Sequence, residues 1–150
     1  MIRFSAIFAY TGGGIRKQHM EITLGPWTAE KNIRQDVSKP LLDAMADEAM
    51  RMVKRTEGFN GRVPPPGETK APGFNIIGRL ISIAEKSGSS QVTARFNVNV
   101  DGFMSNMATL EGKATASGGM TAEDALRAVV ETRVQTILKA IQAGRIVRQG

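Results

Sequence analysis

The chain carries one histidine, His19, and no cysteine among its 150 residues. Thiolate nucleophiles, disulfide staples and cysteine metal sites are excluded by composition, and histidine acid–base chemistry has one candidate. His19 lies between Gln18 and Met20 on the polar side of an alternating segment, and no nearby serine stands in a nucleophile elbow. It reads as an exposed histidine. Asp101 and Glu111 could approach each other across a hairpin, but isolated carboxylates on strands chiefly solubilise, and no third ligand groups with them as a metal site requires. The run Thr11-Gly12-Gly13-Gly14 lacks the Gly-Lys-Ser/Thr ending of a phosphate-binding loop and precedes a strand pattern, so it reads as a hairpin tip. No catalytic residue, cofactor or metal is expected, which makes a non-enzymatic role the default.

What remains is charge. Lys and Arg number 20 against 14 Asp and Glu, a formal net charge of +6 that favours acidic partners, nucleic acid foremost. The candidate phosphate or oligomer contacts are Arg16, Lys17, Arg62, Lys70, Arg145 and Arg148, all in predicted loops or the tail, with Tyr10, Trp27 and Phe59 available for stacking.

The elements that would position these residues follow from periodicity. Phe4, Ala6, Phe8 and Tyr10 alternate, and so do Met20, Ile22 and Leu24, which predicts two strands joined through the glycine tip; Gly25-Pro26 is expected to end the second. A helix is predicted from about Lys39-Pro40, with Leu41, Leu42, Met45, Ala46, Ala49, Met52 and Val53 on one apolar face, Asp47 paired to Arg51, and a stop at Gly58. Ile76 to Ala84 reads as a strand and Glu85 to Ser90 as a turn. Val92, Ala94, Phe96, Val98 and Val100 then alternate strictly with polar residues. Asp101-Gly102 signals a two-residue hairpin, returning the chain through Phe103 to Lys113 as one strand. Ser117-Gly118-Gly119 ends that strand. Thr121 with Asp124 forms a variant capping box for a last helix whose face is Ala125, Leu126, Val129, Val130, Val134, Ile137, Leu138 and Ile141, closing at Gly144.

Between the helix and the second set of strands, the stretch from Gly58 to Gly73 holds three consecutive prolines and the cations Arg62 and Lys70. Proline runs favour an extended polyproline conformation and leave no donors for a sheet, so the segment reads as a long exposed arm. The expected architecture is one α+β domain over 1–150: an antiparallel sheet of about five strands in the order ββ-α-βββ-α, two amphipathic helices on one face, the arm at 58–73 and a basic tail at 145–150. The opposite face would present His19, Glu21, Thr23, Thr93, Arg95, Asn97 and Asn99. No apolar run reaches the roughly 18 residues of a membrane helix and no leader pattern opens the chain, so a soluble, cytoplasmically made protein is expected.

Two family resemblances attach to these residues. From about Pro40 to Ile141 the order helix, three strands, helix, with Phe96-Asn97-Val98-Asn99-Val100 in the middle strand, resembles a double-stranded-RNA-binding domain. The last helix, however, opens on Met120-Thr121-Ala122-Glu123-Asp124, acidic where those domains grip phosphate with a lysine pair. The segment Ile77-Gly78-Arg79-Leu80-Ile81-Ser82-Ile83, between one helix and a sheet closed by another, resembles the head–tail joining and tail-completion proteins of tailed phages. That resemblance implies a non-catalytic structural subunit incorporated in a virion. A ring or shell subunit also accounts for the segments: the Thr11–Lys17 tip, the Asn60–Gly73 arm and the Arg145–Gly150 tail would be the extensions that contact its copies. The competing expectation is a basic protein that binds nucleic acid through phosphates.

Overall fold

The computed structural model describes residues 20–65, 73–100, 103–104 and 110–144. In chain order they form β1 (Met20–Ala29), α1 (Gln35–Arg55), β2 (Phe59–Arg62), β3 (Phe74–Lys86), β4 (Ser89–Val100), β5 (Phe103–Met104), β6 (Leu110–Ser117) and α2 (Ala122–Gln142). The sheet runs β2-β1-β3-β4, and β5 and β6 share the far edge of β4. It is mixed, not antiparallel: β1 runs parallel to both β2 and β3, and only the β3-β4-β5/β6 half is antiparallel. Parallel neighbours need a crossover, which α1 supplies between β1 and β2.

Both edges of β1 are occupied where it pairs, with Ile22 beside Gly61 and Phe74, and Thr23 beside Arg62 and Asn75. The predicted partner strand Arg3–Tyr10, its glycine tip and His19 lie outside the described residues. Over Ile22 and Thr23, β1 has no free edge for such a partner. Nor does Gly25-Pro26 end the strand. The peptide is cis, Gly25 takes φ 115°, and pairing with β3 resumes at Trp27 after a register shift, so the break is a bulge inside one strand.

Helix α1 starts at Gln35, earlier than predicted, with Pro40 inside it and an N-cap, Arg34, that makes no side-chain capping bond. The capping signal was absent, so proline marked the start too late. Leu41, Met45, Ala49, Met52 and Val53 are buried as expected. At the other end Thr56 Oγ1 donates to the Met52 carbonyl at 2.7 Å, and Gly58 at φ 94° turns the chain into β2. This is the largest correction to the predicted arm: Phe59–Arg62 is an edge strand, and Phe59 is only 4% exposed. Of the rest of the arm, 63–65 and Gly73 are described and 66–72 are not.

The β3–β4 hairpin is longer than predicted, pairing out to Lys86 and Ser89 around a turn at Ser87-Gly88. The strand expected from Phe103 to Lys113 is two pieces: Phe103 pairs with Val100, whereas Leu110 pairs with Phe96. Asp101 and Gly102 lie outside the described residues. Helix α2 follows the sequence closely. Thr121 Oγ1 accepts the Asp124 N–H at 3.1 Å, seven of the eight predicted face residues are buried, Val129 is partly so, and Gly144 turns at φ 75° just past the end.

Both helices lie side by side on one face of the sheet, α1 over β1 and β2 and α2 over β6 and β4. The core between them and the sheet centres on Phe96, Ile22, Leu24, Met45, Ile76, Leu80 and Leu126, each almost wholly buried. Three glycines, Gly61, Gly78 and Gly112, permit the closest approaches. A Cβ at Gly78 would stand 2.4 Å from the Trp27 ring and 2.9 Å from Met45 Cε, and one at Gly112 would stand 2.5 Å from Val129 Cγ1 of α2.

Candidate functional site

With the helices on one side, the opposite face of the sheet is the largest surface built by strand register alone. Successive residues of a strand point to opposite faces, so each row of cross-strand partners on this side is fixed by pairing. One row runs Thr28, Arg79, Arg95, Glu111 across β1, β3, β4 and β6. Arg79 donates from Nε and Nη2 to the two carboxylate oxygens of Glu30 at 3.1 and 3.2 Å, and from Nη1 to Thr28 Oγ1 at 3.3 Å. Arg95 Nη2 donates to Glu111 Oε2 at 3.2 Å. Arg79 and Arg95 face each other in register, and each is offset by a carboxylate on its outer side. The first of these pairs holds the Glu30 carboxyl below its ordinary value, chiefly through the Arg79 hydrogen bond and then through its charge.

Beyond the Ile77–Asn97 pair, a further row on this face runs Arg62, Thr23, Asn75, Asn99. Arg62 Nη1 donates to Thr23 Oγ1 at 3.0 Å, and its Nε stands 4.0 Å from Glu21. Thr23 and Thr93 were expected on a polar face, yet both are buried, and Asn75 on the same face is only 7% exposed. The Oδ1 atoms of Asn75 and Asn99, opposite each other in register, are buried with no hydrogen-bond partner among the described residues.

On the helix side, the Trp27 ring divides a groove of about 770 Å³, bordered by Ile33, Ser38, Leu42 and Ala46, from one of about 500 Å³ bordered by Met50, Val63, Pro64 and Pro65. Trp27 packs on Gly78 with its ring half-buried, and Phe59 is in the core, which removes Phe59 from the residues available for stacking on a ligand.

Of the six cations put forward as contacts, Arg62 alone is among the described residues, and it is part of the sheet face instead of a projecting arm. Arg16, Lys17, Lys70, Arg145 and Arg148 lie outside them. Glu111 was set against Asp101 but pairs with Arg95, and Asp47 pairs with α2 in place of Arg51, which instead meets Glu48 at 3.3 Å. Arg79 was legible only as part of a β-rich run; the alternation of β3 carried its orientation, while its partner Glu30 is 49 residues away in sequence. Among the described residues no group of three or more His, Cys, Asp or Glu side chains is placed to hold a metal ion. No helix among them is long and apolar enough to cross a membrane.

The two ends of the sheet differ. β2 has four residues and runs directly into Val63-Pro64-Pro65, whose prolines have no N–H to offer a further strand. β6 has eight residues, no proline, and no described strand on its outer side.

No family model matches the chain, and no curated protein matches it in sequence. Solved structures share its fold. A hypothetical protein of Chlamydia trachomatis is 8% identical, with a TM-score of 0.58 over 81% of this chain and 96% of that one. A Xanthomonas campestris protein of family DUF330 is 11% identical, with a TM-score of 0.58 over 87% and 90% of the two chains. PelC of Paraburkholderia phytofirmans, solved as a dodecamer, is 9% identical, with a TM-score of 0.52 over 79% and 89%. At these identities the likeness is one of fold, and it extends across most of each chain.

Proposed function

We propose that this chain is a non-catalytic structural subunit that assembles with copies of itself. The observation that carries the reading is the β6 edge: eight residues of strand with no described neighbour on the outer side, twice the length of the other edge strand, β2, which has four residues and leads into Val63-Pro64-Pro65. Among the described residues no strand covers this edge, and a strand edge offers a row of N–H and C=O groups with which a second chain can pair. The PelC structures of the same fold are dodecamers, which supports a self-associating role for this architecture. A joining ring of a tailed phage, as the sequence resemblance implies, is one assembly of this kind.

The nucleic-acid reading rests on the net charge of +6. Phosphate binding works best on a basic stripe, and on the described sheet face Arg62, Arg79 and Arg95 each stand within 4.0 Å of a carboxylate. The face is a mixed-charge surface, which suits a protein neighbour better than a polyanion.

Light scattering coupled to size-exclusion chromatography at low and high salt, with absorbance at 260 and 280 nm, tests the reading. A discrete oligomer free of nucleic acid is expected at both salt concentrations. A monomer, or a species that copurifies with nucleic acid and sheds it at high salt, would overturn it.

A further inference from the structure

The β6 edge presents an unusual pattern of charge. Glu111 and Lys113 are exposed on the sheet face away from the helices, two residues apart, with Gly112 between them facing α2. Glu111 is already the outer end of the row Arg79, Arg95, Glu111, and Lys113 begins the neighbouring row beside Thr93. A lone lysine on an edge strand repels a second copy of itself. A lysine two residues from a glutamate does the opposite in one register, because an antiparallel two-fold centred between them sets each against the other.

We propose that β6 of one copy pairs antiparallel with β6 of a second copy about a two-fold axis at Gly112. In that register Glu111 lies opposite the second copy's lysine and Lys113 opposite its glutamate, while Leu110 lies opposite the second copy's alanine at 114. Each row of charge then continues across the junction with alternating sign: Arg95, Glu111, and the lysine of the other copy. The nearest competing two-fold on the C-terminal side, centred on Ala114, sets Lys113 against a threonine and Glu111 against a serine, so neither charge gains an opposite partner directly across the junction. Gly112, Ala114 and Ala116 keep the helix side of the edge low, so that the two α2 helices can flank the junction without a bulky residue rising between strands. An isologous contact of this kind closes on itself and stops at two copies along this edge, so larger assembly would use another surface.

This inference rests on the self-assembly reading, and its test separates the two. The chain has no native cysteine, so engineered thiols report on the junction alone. Glu111→Cys and Lys113→Cys variants are mixed and mildly oxidised; a disulfide-linked dimer is expected from the mixture. Neither variant alone should link efficiently, because diagonal neighbours stand roughly 7–8 Å apart, beyond the usual Cβ separation of about 3.5–4.5 Å for a disulfide. Linking of Lys113→Cys with Thr115→Cys in place of that pair would overturn the Gly112 register. Lys113→Glu, which places acid against acid, is expected to raise the dimer dissociation constant at least tenfold by light scattering, whereas the same charge change at exposed Lys54 on α1 leaves it unchanged. If the protein is oligomeric but neither the cross-link nor the Lys113→Glu effect is found, the β6 junction is wrong and the self-assembly reading stands. If the protein is a monomer, both fall.

Discussion

Arg127 on α2 donates from Nη1 to Asp47 on α1 at 2.7 Å, and the same nitrogen stands 3.6 Å from the carboxylate of Glu48. The Glu48 side chain is only 4% exposed, so it is a charge taken out of water and answered by two arginines, Arg127 across the helix pair and Arg51 one turn along α1. The pair Arg127–Asp47 thus bridges the two helices above the sheet, and its hydrogen bond raises the Arg127 pKa.

Removing Arg127 is therefore expected to act through Glu48 more than through Asp47, which is 59% exposed. Arg127→Met keeps the aliphatic stem and should cost about 1–3 kcal/mol, less than for a fully orphaned buried charge because Arg51 remains. Urea denaturation of Arg127→Met, Glu48→Gln and the double variant checks this. The glutamine substitution should cost less in the Arg127→Met background than in the native chain.

Gly78 is a site where one methyl group is too many. A Cβ there meets the Trp27 ring at 2.4 Å, so Gly78→Ala should displace the ring and destabilise the fold by about 1–3 kcal/mol. Trp27 is the chain's one tryptophan, and its emission reports the displacement directly. Gly119→Ala, with open space around its Cβ, should change stability by less than about 0.5 kcal/mol and leave the emission untouched.

The cap of α2 is a single bond. Thr121→Ala removes the oxygen that accepts the Asp124 N–H and should cost about 1 kcal/mol by thermal or urea unfolding, whereas Thr121→Ser should restore most of it.

Acid should weaken the sheet face and the start of α1 together. Arg79 holds the Glu30 carboxyl below its ordinary 4.5, and the hydrogen bond from Arg34 holds Asp36 below its ordinary 3.8. Folded, each binds its proton more weakly than unfolded. The stability each contributes is therefore complete above those ordinary values and is lost as pH falls through the lower folded ones. The melting temperature should drop as pH falls from about 5 to about 3, and the Glu30 share of that slope should vanish in Arg79→Gln. A slope that is unchanged in the variant would show that the Glu30–Arg79 pair carries none of it.

Where an element's signals are local, the sequence determined it. The Thr121 cap, the apolar face from Ala125 to Ile141 and the stop at Gly144 place α2 within its own residues, and strict alternation from Val92 to Val100 places β4 and its buried face. Composition alone removed cysteine chemistry. Pairing was different, because alternation records which face of a strand is buried and says nothing about which strand lies beside it. The parallel placement of β1 between β2 and β3 depends on contacts tens of residues apart, and with it went the expected antiparallel sheet and, at Phe59–Arg62, the first part of the expected arm. The partners of charged residues were decided in the same way: Asp47 finds Arg127 at a distance of 80 residues and Arg79 finds Glu30 at 49. Helical spacing offered Asp47 a neighbour one turn away, but packing α2 beside α1 brought a closer one. That tertiary contact, and the register that sets Glu111 and Lys113 on one open edge, could be decided only once the strands and helices were assembled.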